Sequence, residues 1–404
     1  MLRGSFESIV GCLKYLTSAR SLLMQTLFNI QPTALQAEKL SEGEPDCPFE
    51  KLADAMGFQE KRQGTSGWTH PFWLLNFIFI ALHTAQARIP EVMMDAKPAW
   101  FMETEGQRVV ENVLSWQTSA GSWPKNVDTA SEPFQGSLSE LRGTFDNAAT
   151  TGEMRFLIRA YAATSEVAIR NAFLKALQLL LEAQYPSGGW PQTFPLEKGY
   201  SSHITFNDNT MVHILRLLLE VSQWESSNLV NRDHQRSCQK AFERGIECIL
   251  RSQIKVKGVL TVWCAQHDPV NLEPRPARSY ELESLSGGES ANILQLLMEL
   301  DQPTPAMVRA INAGASWYKN SKIHGIRLVR DPEQGRLAVA DPDAPVLWAR
   351  FYELGTQRPF FCDRDGVRKY DFNQIGKERR NGYSWYGSYG HDVLKAYAEW
   401  SQRH

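Results

Sequence analysis

Two aspartates occupy closely similar sequence contexts, and an acidic stretch lies further along the chain. Asp146 lies in Thr-Phe-Asp-Asn, Asp208 lies in Thr-Phe-Asn-Asp-Asn, and the third stretch runs from 280 to 289. Carboxylates that converge without histidine or cysteine suit a hard cation such as calcium, which prefers oxygen ligands. They also suit the paired acid and base of a glycosidase. A third interpretation is that each aspartate caps a helix N-terminus, and spacing alone does not separate the three.

Arginines form the second group of candidate residues. Arg278 precedes the acidic stretch, Arg350 lies in Trp-Ala-Arg-Phe-Tyr, and Arg364 lies in Cys-Asp-Arg-Asp-Gly. The guanidinium is a rigid fork that can bind a carboxylate at two points. The usual role of an arginine is a surface salt bridge. Because Arg350 and Arg364 lie in aromatic, glycine-punctuated loops and not on charge-rich helices, the pattern favours binding of an anionic sugar polymer.

The composition indicates where such a polymer would have to be recognised. The chain of 404 residues has a formal net charge of −2, with 43% hydrophobic and 22% charged residues, which is ordinary for a soluble globular protein. No global field therefore attracts nucleic acid or a membrane surface, and a polyanion would need a local arginine cluster. The 12 tryptophans could be platforms for sugar rings or part of a buried core.

An internal repeat indicates which elements position these groups. Residues 117–124 and 184–191 both read Gln-x3-Gly-x-Trp-Pro, and their starts are 67 residues apart. Gln253, another 69 residues along the chain, begins a degraded third copy. Repeats at a fixed interval are typical of architectures in which one supersecondary unit recurs. A plain helix bundle is less consistent with this pattern, because it does not need Gly-Trp-Pro turns at fixed intervals.

Apolar residues at helical spacing predict two alternating series of helices. The helices that precede the repeat turns are predicted at 109–117, 166–184 and 233–252, and those of the second series at 146–163, 208–223 and 289–300. The predicted fold is therefore an all-α, incomplete (α/α)3 toroid of paired inner and outer helices, with long loops and few short strands. Equivalent positions of a toroid share one rim, so the acidic residues of the three units are expected to face one cleft.

An apolar segment at 72–82 lies in an unusual place. It is shorter than the roughly 20 residues that a membrane span needs, and it ends in the small-x-small triplet Ala-Gln-Ala at Ala87, which is typical of a secretory signal peptide. We expect translation to start at Met56, so that 1–87 is a gene-model extension plus an internal signal. Residues 88–404 would then form one catalytic domain that is secreted or periplasmic. The alternative is a buried helix behind a true N-terminal domain.

The four cysteines beyond this segment are Cys238, Cys248, Cys264 and Cys362. Cys238 and Cys248 are ten residues apart on one predicted helix, which corresponds to about 15 Å and excludes a disulfide between them. No Cys-x-x-Cys pair or cysteine–histidine spacing indicates a zinc site. We expect mostly free, buried thiols.

Seven motifs in order carry a family resemblance. They are Thr-Phe-Asp-Asn at 144–147, Gln-Tyr-Pro-Ser-Gly-Gly-Trp-Pro-Gln at 184–192, His-Ile-Thr-Phe-Asn-Asp-Asn at 203–209, Trp-Cys-Ala-Gln-His at 263–267, Ala-Arg-Ser-Tyr-Glu-Leu-Glu-Ser-Leu-Ser-Gly at 277–287, Trp-Ala-Arg-Phe-Tyr-Glu-Leu-Gly at 348–355 and Cys-Asp-Arg-Asp-Gly at 362–366. Together they resemble the family 10 polysaccharide lyases, which are pectate lyases, over most of the predicted domain.

The resemblance implies a calcium-dependent pectate lyase. Such an enzyme cleaves α-1,4-polygalacturonate by β-elimination to 4,5-unsaturated oligogalacturonides, and no nucleic acid or membrane partner is expected. Because no heptad or apolar helix in the sequence suggests a protein partner, we expect a monomer. The family's base falls on Arg278, its substrate-carboxylate arginines on Arg350 and Arg364, and its metal and substrate aspartates on Asp208 and Asp146. Arginine is normally protonated, so we expect an alkaline optimum. The alternatives are an inverting glycoside hydrolase and a noncatalytic pectin-binding protein.

Overall fold

The computed structural model describes Ile89, residues 91–224 and residues 228–404. The predicted signal segment and the extension before it lie outside the described residues. In chain order the α-helices are α1 Glu91–Met94, α2 Thr104–Ser115, α3 Thr151–Thr164, α4 Val167–Glu182, α5 Thr210–Ser222, α6 Arg232–Ser252, α7 Glu289–Glu299, α8 Pro305–Asn320, α9 Lys377–Gly382 and α10 Tyr389–Trp400. None of the described helices is long and apolar enough to cross a membrane.

Burial divides the long helices into two layers. Eight of the eleven residues of α7 are buried, whereas only eight of the 21 residues of α6 are. A helix that is buried on most sides lies inside a protein, and one with a single apolar stripe lies at its surface. By this criterion α3, α5 and α7 are inner helices, and α2, α4, α6 and α8 are outer ones. The predicted helical toroid is confirmed, and α8 with α10 extends it beyond the three predicted units.

The glutamines of the repeat explain why it recurs. Each side-chain amide donates to one carbonyl of its own turn and to one carbonyl of the next outer helix. The acceptors are Gly121 and Ala172 for Gln117, Gly188 and Ala241 for Gln184, and Thr261 and Ala310 for Gln253, at 2.8–3.1 Å. Gln253 makes the same two bonds although its surrounding sequence is degraded, so the third copy is confirmed.

The tryptophans of the turns form a second set of repeated bonds. Each indole N–H donates to a carbonyl of the outer helix that precedes it. The pairs are Trp123 with Val113, Trp190 with Leu180, Trp263 with Ile249 and Trp348 with Tyr318, at 2.7–3.0 Å. All four rings are buried, so these tryptophans belong to the core and are not sugar platforms. Trp348 marks a fourth turn that the sequence motif does not reveal.

Gly188 is the position of the repeat that tolerates a side chain least. Its φ is +99°, and a Cβ would lie 2.1 Å from the carbonyl oxygen of Arg244 on α6. We expect Gly188→Ala to lower the free energy of unfolding by about 2–4 kcal/mol, because strain at positive φ adds to the clash. The matched control is Gly152→Ala, since a Cβ there meets nothing within 4 Å. The control should change stability by about 1 kcal/mol or less in urea unfolding, and equal losses in both variants would contradict the prediction.

The strands are short and pair in twos. They are β1 Ile204–Thr205, β2 Lys255–Val256, β3 Val259–Leu260, β4 Gln266–His267, β5 Leu285–Ser286, β6 Ile326–Asp331, β7 Gly335–Ala340, β8 Trp348–Ala349, β9 Phe351–Tyr352, β10 Phe361–Cys362, β11 Arg368–Lys369 and β12 Tyr386–Gly387. The antiparallel pairs are β1 with β4, β2 with β3, β5 with β9, β6 with β7, β8 with β12 and β10 with β11. β6 and β7 have six residues each, so this hairpin is longer than the few short strands that the sequence analysis predicted.

The thiols follow the prediction from cysteine spacing. Cys238, Cys248, Cys264 and Cys362 are all free and buried. Burial raises the pKa of Cys238 and of Cys248 to about 12. Both therefore remain protonated and act as small apolar side chains.

Candidate active site

The two predicted aspartates lie in tight turns that precede inner helices. Asp146 begins the 3₁₀ turn Asp146–Ala148, and Asp208 is central in the turn Asn207–Asn209. The two turns pack against each other, and the second also packs against α7. The predicted helix starts at 146 and 208 were therefore too early, because α3 begins at Thr151 and α5 at Thr210.

The helix-cap interpretation of these aspartates is wrong. The capping positions of α3 and α5 are Thr150 and Asn209, and neither position makes a side-chain capping bond. Both residues have positive φ, 67° at Thr150 and 63° at Asn209. Such conformations are costly for residues other than glycine and cluster at functional sites. The carboxylates of Asp146 and Asp208 are thus available for purposes other than capping.

The two aspartates are not at equivalent positions. Asp146 directly follows Phe145, whereas Asn207 follows Phe206, so Asp208 corresponds to Asn147. The structure agrees, because Asn147 and Asp208 take the same left-handed conformation, with φ 53° and φ 49° respectively. As a result, the side chain of Asp146 is 3% exposed and that of Asp208 is 36% exposed.

The electrostatics of Asp208 show which charges share its surroundings. Burial raises the pKa of its carboxyl, Arg350 opposes this, and the negative charges of Glu289 and Asp146 add to it. Arg278 is also close enough to lower the pKa, but the net pKa lies above its usual value. Four of the five residues predicted for the site therefore lie in one electrostatic environment, together with Glu289 from the predicted third acidic stretch.

Arg350 lies at the buried side of this cluster. Its Nη2 donates to Glu289, donates to Asn207 Oδ1 at 3.2 Å, and lies 3.6 Å from Asp208 Oδ1. Its Nε is buried without a hydrogen-bond partner in the described part of the chain. Burial lowers the pKa of Arg350, but Glu289 and the nearby groups outweigh this, and the pKa stays well above its usual range. Arg350 is therefore a permanent cation within this cluster and not a surface salt bridge.

Lys125 is a site residue that the sequence analysis missed. Its Nζ donates to Asp146 Oδ2, so the first aspartate has its own cation. The repeat contained a signal for Lys125, because Lys125 and Arg350 occupy the same repeat position, two residues after the turn tryptophan. Across the four turns the residues at that position are Lys125, Gln192, Ala265 and Arg350. The main-chain carbonyls of the last three accept from Phe145, Phe206 and Gly287 respectively, at 2.8–2.9 Å, which brings each inner turn against the next repeat.

Arg278 lies at the exposed side of the cluster. Its guanidinium is paired with the carboxylate of Glu281, with Nη2 and Oε1 2.6 Å apart. It lies over the rings of Tyr280 and Tyr383, 5.1 and 5.7 Å from their centroids. Burial lowers the pKa of Arg278, but the hydrogen bonds and charge of Glu281 raise it more, so the pKa lies above the usual value of arginine.

Arg364 lies near the same aromatic ring as Arg278, that of Tyr280. Three guanidinium carbons, those of Arg278, Arg364 and Arg379, lie 5.1, 5.8 and 4.5 Å from the centroid of this ring. Glu378 lies between two of them, and its pKa is lowered to about 2 by its bonds to Arg379 and to Arg364. Arg364 thus combines the predicted anion-binding position with an exposed salt bridge of 3.1 Å to Glu378.

A separate aromatic core fixes the arginine loops. Its buried members are Tyr280, Phe351, Phe360, Phe361, Cys362, Phe372, Ile375 and Trp385. Tyr280 packs edge-on against Tyr383, with ring centroids 5.3 Å apart. Since aromatic pairs of this kind add about 0.5–1.5 kcal/mol beyond the area that they bury, the loops that carry Arg278, Arg350 and Arg364 share one rigid base.

The donor set can be compared with the needs of a hard cation. No group of three or more histidine, cysteine or acidic side chains that could hold a metal ion occurs in residues 91–224 and 228–404. Asp146 and Asp208 supply two carboxylates, and the charge of Asp146 acts on Asp208. Calcium takes six to eight oxygens. The two aspartates alone supply too few oxygens. They fit a calcium site in which waters and an anionic ligand would supply the other oxygens.

Glu153 is a buried acid near these turns, in the first turn of α3. Its Oε1 accepts from Thr129 at 3.3 Å, and its Oε2 has no partner among the described residues. Burial raises its pKa from 4.5 to about 7. The folded state therefore holds the proton more tightly than the unfolded state. As a result, the contribution of Glu153 to stability is fully present below pH 4.5 and is lost as the pH rises through about 7, a change of about 3 kcal/mol.

Glu153→Gln should remove this loss. We expect the variant to unfold like the wild type at pH 4.5 and to be more stable by about 2–3 kcal/mol at pH 9, because its amide is neutral throughout. Urea unfolding at the two pH values measures the difference. The control is Glu105→Gln, since Glu105 lies exposed in the first turn of α2. A stability difference that is the same at both pH values would contradict the titration of Glu153.

The chain is similar in sequence to a known family and in structure to solved proteins. The family model described as pectic acid lyase matches residues 117–394. No curated protein is similar enough to match.

Two solved structures are similar over most of the chain. One is an aspartate-to-alanine mutant of a family 10 polysaccharide lyase from Cellvibrio cellulosa in complex with trigalacturonic acid. It is 37% identical, with 74% of this chain and 94% of that chain covered and a TM-score of 0.68. The other is a family 10 polysaccharide lyase from the same organism, 35% identical, with 78% of this chain and 99% of that chain covered and a TM-score of 0.68.

Proposed function

The chain belongs to the pectic acid lyase family, the family 10 polysaccharide lyases, and on this premise we propose that it is a calcium-dependent pectate lyase that cleaves polygalacturonate by β-elimination. The observation that supports the substrate most directly is the group of three arginines around Tyr280, next to the turns of Asp146 and Asp208. Guanidinium groups recognise carboxylates in two-point geometry. The similarity to a lyase bound to trigalacturonic acid supports the same ligand class here.

The proposed reaction breaks the bond between C4 and its glycosidic oxygen. The C5 proton, next to the uronate carboxylate, moves to the base, the C4–C5 double bond forms, and the electron pair of the broken bond leaves on oxygen. Asp146 and Asp208 would hold calcium, which when bound stabilises negative charge on the uronate carboxylate. Hydrolysis would instead need an acid–base pair of carboxylates. The family match favours elimination.

The arginines divide the remaining work. Arg364 and Arg350 would bind uronate carboxylates and orient the ring. The side chain of Arg350 is 13% exposed, so only part of its guanidinium would meet the ligand. Arg278 would accept the C5 proton, for which it must first lose a proton to solvent. Because Glu281 raises its pKa, we expect the rate to rise with pH in the alkaline range.

The test is ultraviolet absorbance of polygalacturonate at alkaline pH, first with calcium and then with a chelator. Elimination produces a conjugated double bond that absorbs, whereas hydrolysis produces reducing ends without this absorbance. We expect a rise that the chelator abolishes and calcium restores. Reducing ends without absorbance would indicate a hydrolase. Binding of polygalacturonate without either signal would indicate a noncatalytic pectin-binding protein.

We also propose that the mature enzyme is a secreted or periplasmic monomer that begins at Arg88. This proposal rests on the apolar segment at 72–82 and the triplet that ends at Ala87. Mass spectrometry of protein from the culture medium should give a chain of 88–404, and light scattering should give the mass of one copy. A secreted protein that retains residues 1–55 would contradict the assignment of the start to Met56.

A further inference from the structure

Glu281 makes an unusually complete set of bonds to the proposed base. Its Oε2 accepts from the Nε of Arg278 at 2.7 Å and from the main-chain N–H of Arg278 at 3.2 Å. Its Oε1 accepts from Nη2 of Arg278 at 2.6 Å and from the hydroxyl of Tyr383 at 2.7 Å. The side chain of Glu281 is only 6% exposed, while that of Arg278 is 44% exposed. The buried carboxylate of Glu281 therefore binds the Nε and Nη2 edge of the guanidinium, while the rest of the guanidinium is exposed to solvent.

The backbone adds to this constraint. The N–H of Glu281 donates to the carbonyl of Arg278 at 2.8 Å, and the N–H of Ala277 donates to the carbonyl of Glu281 at 2.9 Å. The two residues are thus connected by a closed turn and by the side-chain pair. Rotation of Arg278 away from Glu281 would break two charge-assisted hydrogen bonds, each of which is stronger than a bond between neutral groups.

This geometry distinguishes the three nitrogens of Arg278. Nε and Nη2 are both engaged by Glu281, and the rings of Tyr280 and Tyr383 contact the guanidinium. Nη1 forms no hydrogen bond within the described parts of the chain, whereas Nη2 has one of its two N–H groups taken by Glu281. Nη1 is therefore the nitrogen that is most available to a ligand. The influence of Arg278 on Asp208 puts this guanidinium in the same cluster as the proposed metal ligands.

We propose that Glu281 is the positioning residue of the reaction: it fixes the guanidinium of Arg278 so that Nη1 is the nitrogen that receives the C5 proton of the substrate. This inference rests on the proposed function. In the step, Nη1 of Arg278 first releases one proton to solvent. The C5–H bond then breaks and an Nη1–H bond forms, while the electron pair of C5–H becomes the C4–C5 double bond. The C4–O bond breaks, and the leaving oxygen keeps its electron pair and takes a proton from solvent.

The same pair sets the pH at which the base becomes available. The charged and titratable groups that face Arg278 are Glu281, Tyr280, Tyr383, Arg364, Arg379 and Asp208. Among them, Glu281 is the carboxylate bonded directly to the guanidinium, and it favours the protonated form. Loss of its charge should lower the pKa of Arg278. The neutral base would then form at lower pH, but it would be poorly oriented.

The kinetic test is the Glu281→Gln variant. Its cleavage of polygalacturonate is measured by ultraviolet absorbance between pH 7 and 10.5 with saturating calcium. We expect kcat to fall by about 30-fold or more across this pH range, with KM changed less than about threefold. In the wild type the rise of kcat with pH should continue to pH 10.5, because the pKa of Arg278 lies above this range. Glu281→Asp keeps the charge and should lose less activity than Glu281→Gln. Glu283→Gln makes the same chemical change two residues further along the loop and should behave as the wild type. A Glu281→Gln variant whose kcat stays within about threefold of the wild type would overturn the proposal.

A second measurement does not depend on activity. The Nε–Hε signal of Arg278 can be followed by nitrogen-15 NMR and assigned by its loss in Arg278→Lys. We expect exchange of Hε with water to be at least tenfold slower than for the exposed Arg236, and to become fast in Glu281→Gln. Fast exchange in the wild type would overturn the positioning role even if the enzyme is an active lyase. Slow exchange in a protein that releases no absorbing product would instead overturn the proposed function.

Discussion

Arg278→Lys is expected to lower the elimination rate by about 10²–10⁴-fold, the usual contribution of a positioned acid or base, while the fold remains intact. Lysine has the lower intrinsic pKa, so it would be the easier of the two residues to deprotonate. It lacks the planar fork, however, and cannot bond Glu281 through two nitrogens while a third meets the substrate. The substitution therefore separates the geometry of the base from its basicity.

The measurement is the initial rate of absorbance change on polygalacturonate at several alkaline pH values, with thermal unfolding as the check of the fold. The matched control is Arg236→Lys, which makes the same change at an exposed pair with Asp233 on α6 and should be silent. Retained activity in Arg278→Lys would move the base elsewhere. His267 is a poor replacement, because it is fully buried, its Nδ1 lies 2.8 Å from the carbonyl of Leu272, and burial lowers its pKa to about 4.

Asp208→Asn is expected to reduce activity at a fixed calcium concentration by about 100-fold or more, the scale of losing one preorganised electrostatic group. The substitution is well suited to the backbone. Asn147 occupies the equivalent left-handed position of the other turn, with φ 53° where Asp208 has 49°, so asparagine fits there. The variant should thus change the charge alone.

Calorimetry of calcium binding in the presence of trigalacturonic acid provides the direct readout, and the calcium concentration for half-maximal rate should rise together with the dissociation constant. Unfolding in urea should show equal or slightly higher stability, because burial disfavours the charged carboxylate of Asp208. Asp233→Asn, on the outer surface of α6, is the control and should leave calcium dependence unchanged. If Asp208→Asn bound calcium like the wild type, Asp208 would not be a ligand.

The toroid could be predicted from the sequence because its repeat consists of residues with a defined bonding role. Gln117, Gln184 and Gln253 recur because each must donate to its own turn and to the next outer helix. A side chain that makes the same bonds in every unit leaves a readable pattern. The β6–β7 hairpin was harder to predict, because its outer edge is held by a distant side chain. Asn373 accepts from the N–H of Ala338 and donates to its carbonyl, at 2.9 and 2.8 Å.

The candidate site was predicted in outline for the same reason. Asp146 and Asp208 start equivalent units, so a shared rim follows from the repeat. Their one-residue offset can also be read from the sequence, but its consequence cannot: the side chain of Asp146 is 3% exposed and that of Asp208 is 36% exposed. The position of Arg350 was also unpredictable, since a loop sequence does not reveal that a guanidinium is buried against Glu289. Glu281 was part of the predicted acidic stretch, but the sequence does not show that its carboxylate pairs with Arg278.

The position two residues after each turn tryptophan has a consequence for how such a cleft can change. Lys125, Gln192, Ala265 and Arg350 hold this position in successive turns, so one backbone location carries a cation, an amide, a methyl group and a second cation. The bonds that hold the turns use main-chain carbonyls and the neighbouring tryptophans, and therefore do not depend on which side chain is present. The charge at this position can therefore differ from turn to turn while the bonds that hold the scaffold stay the same.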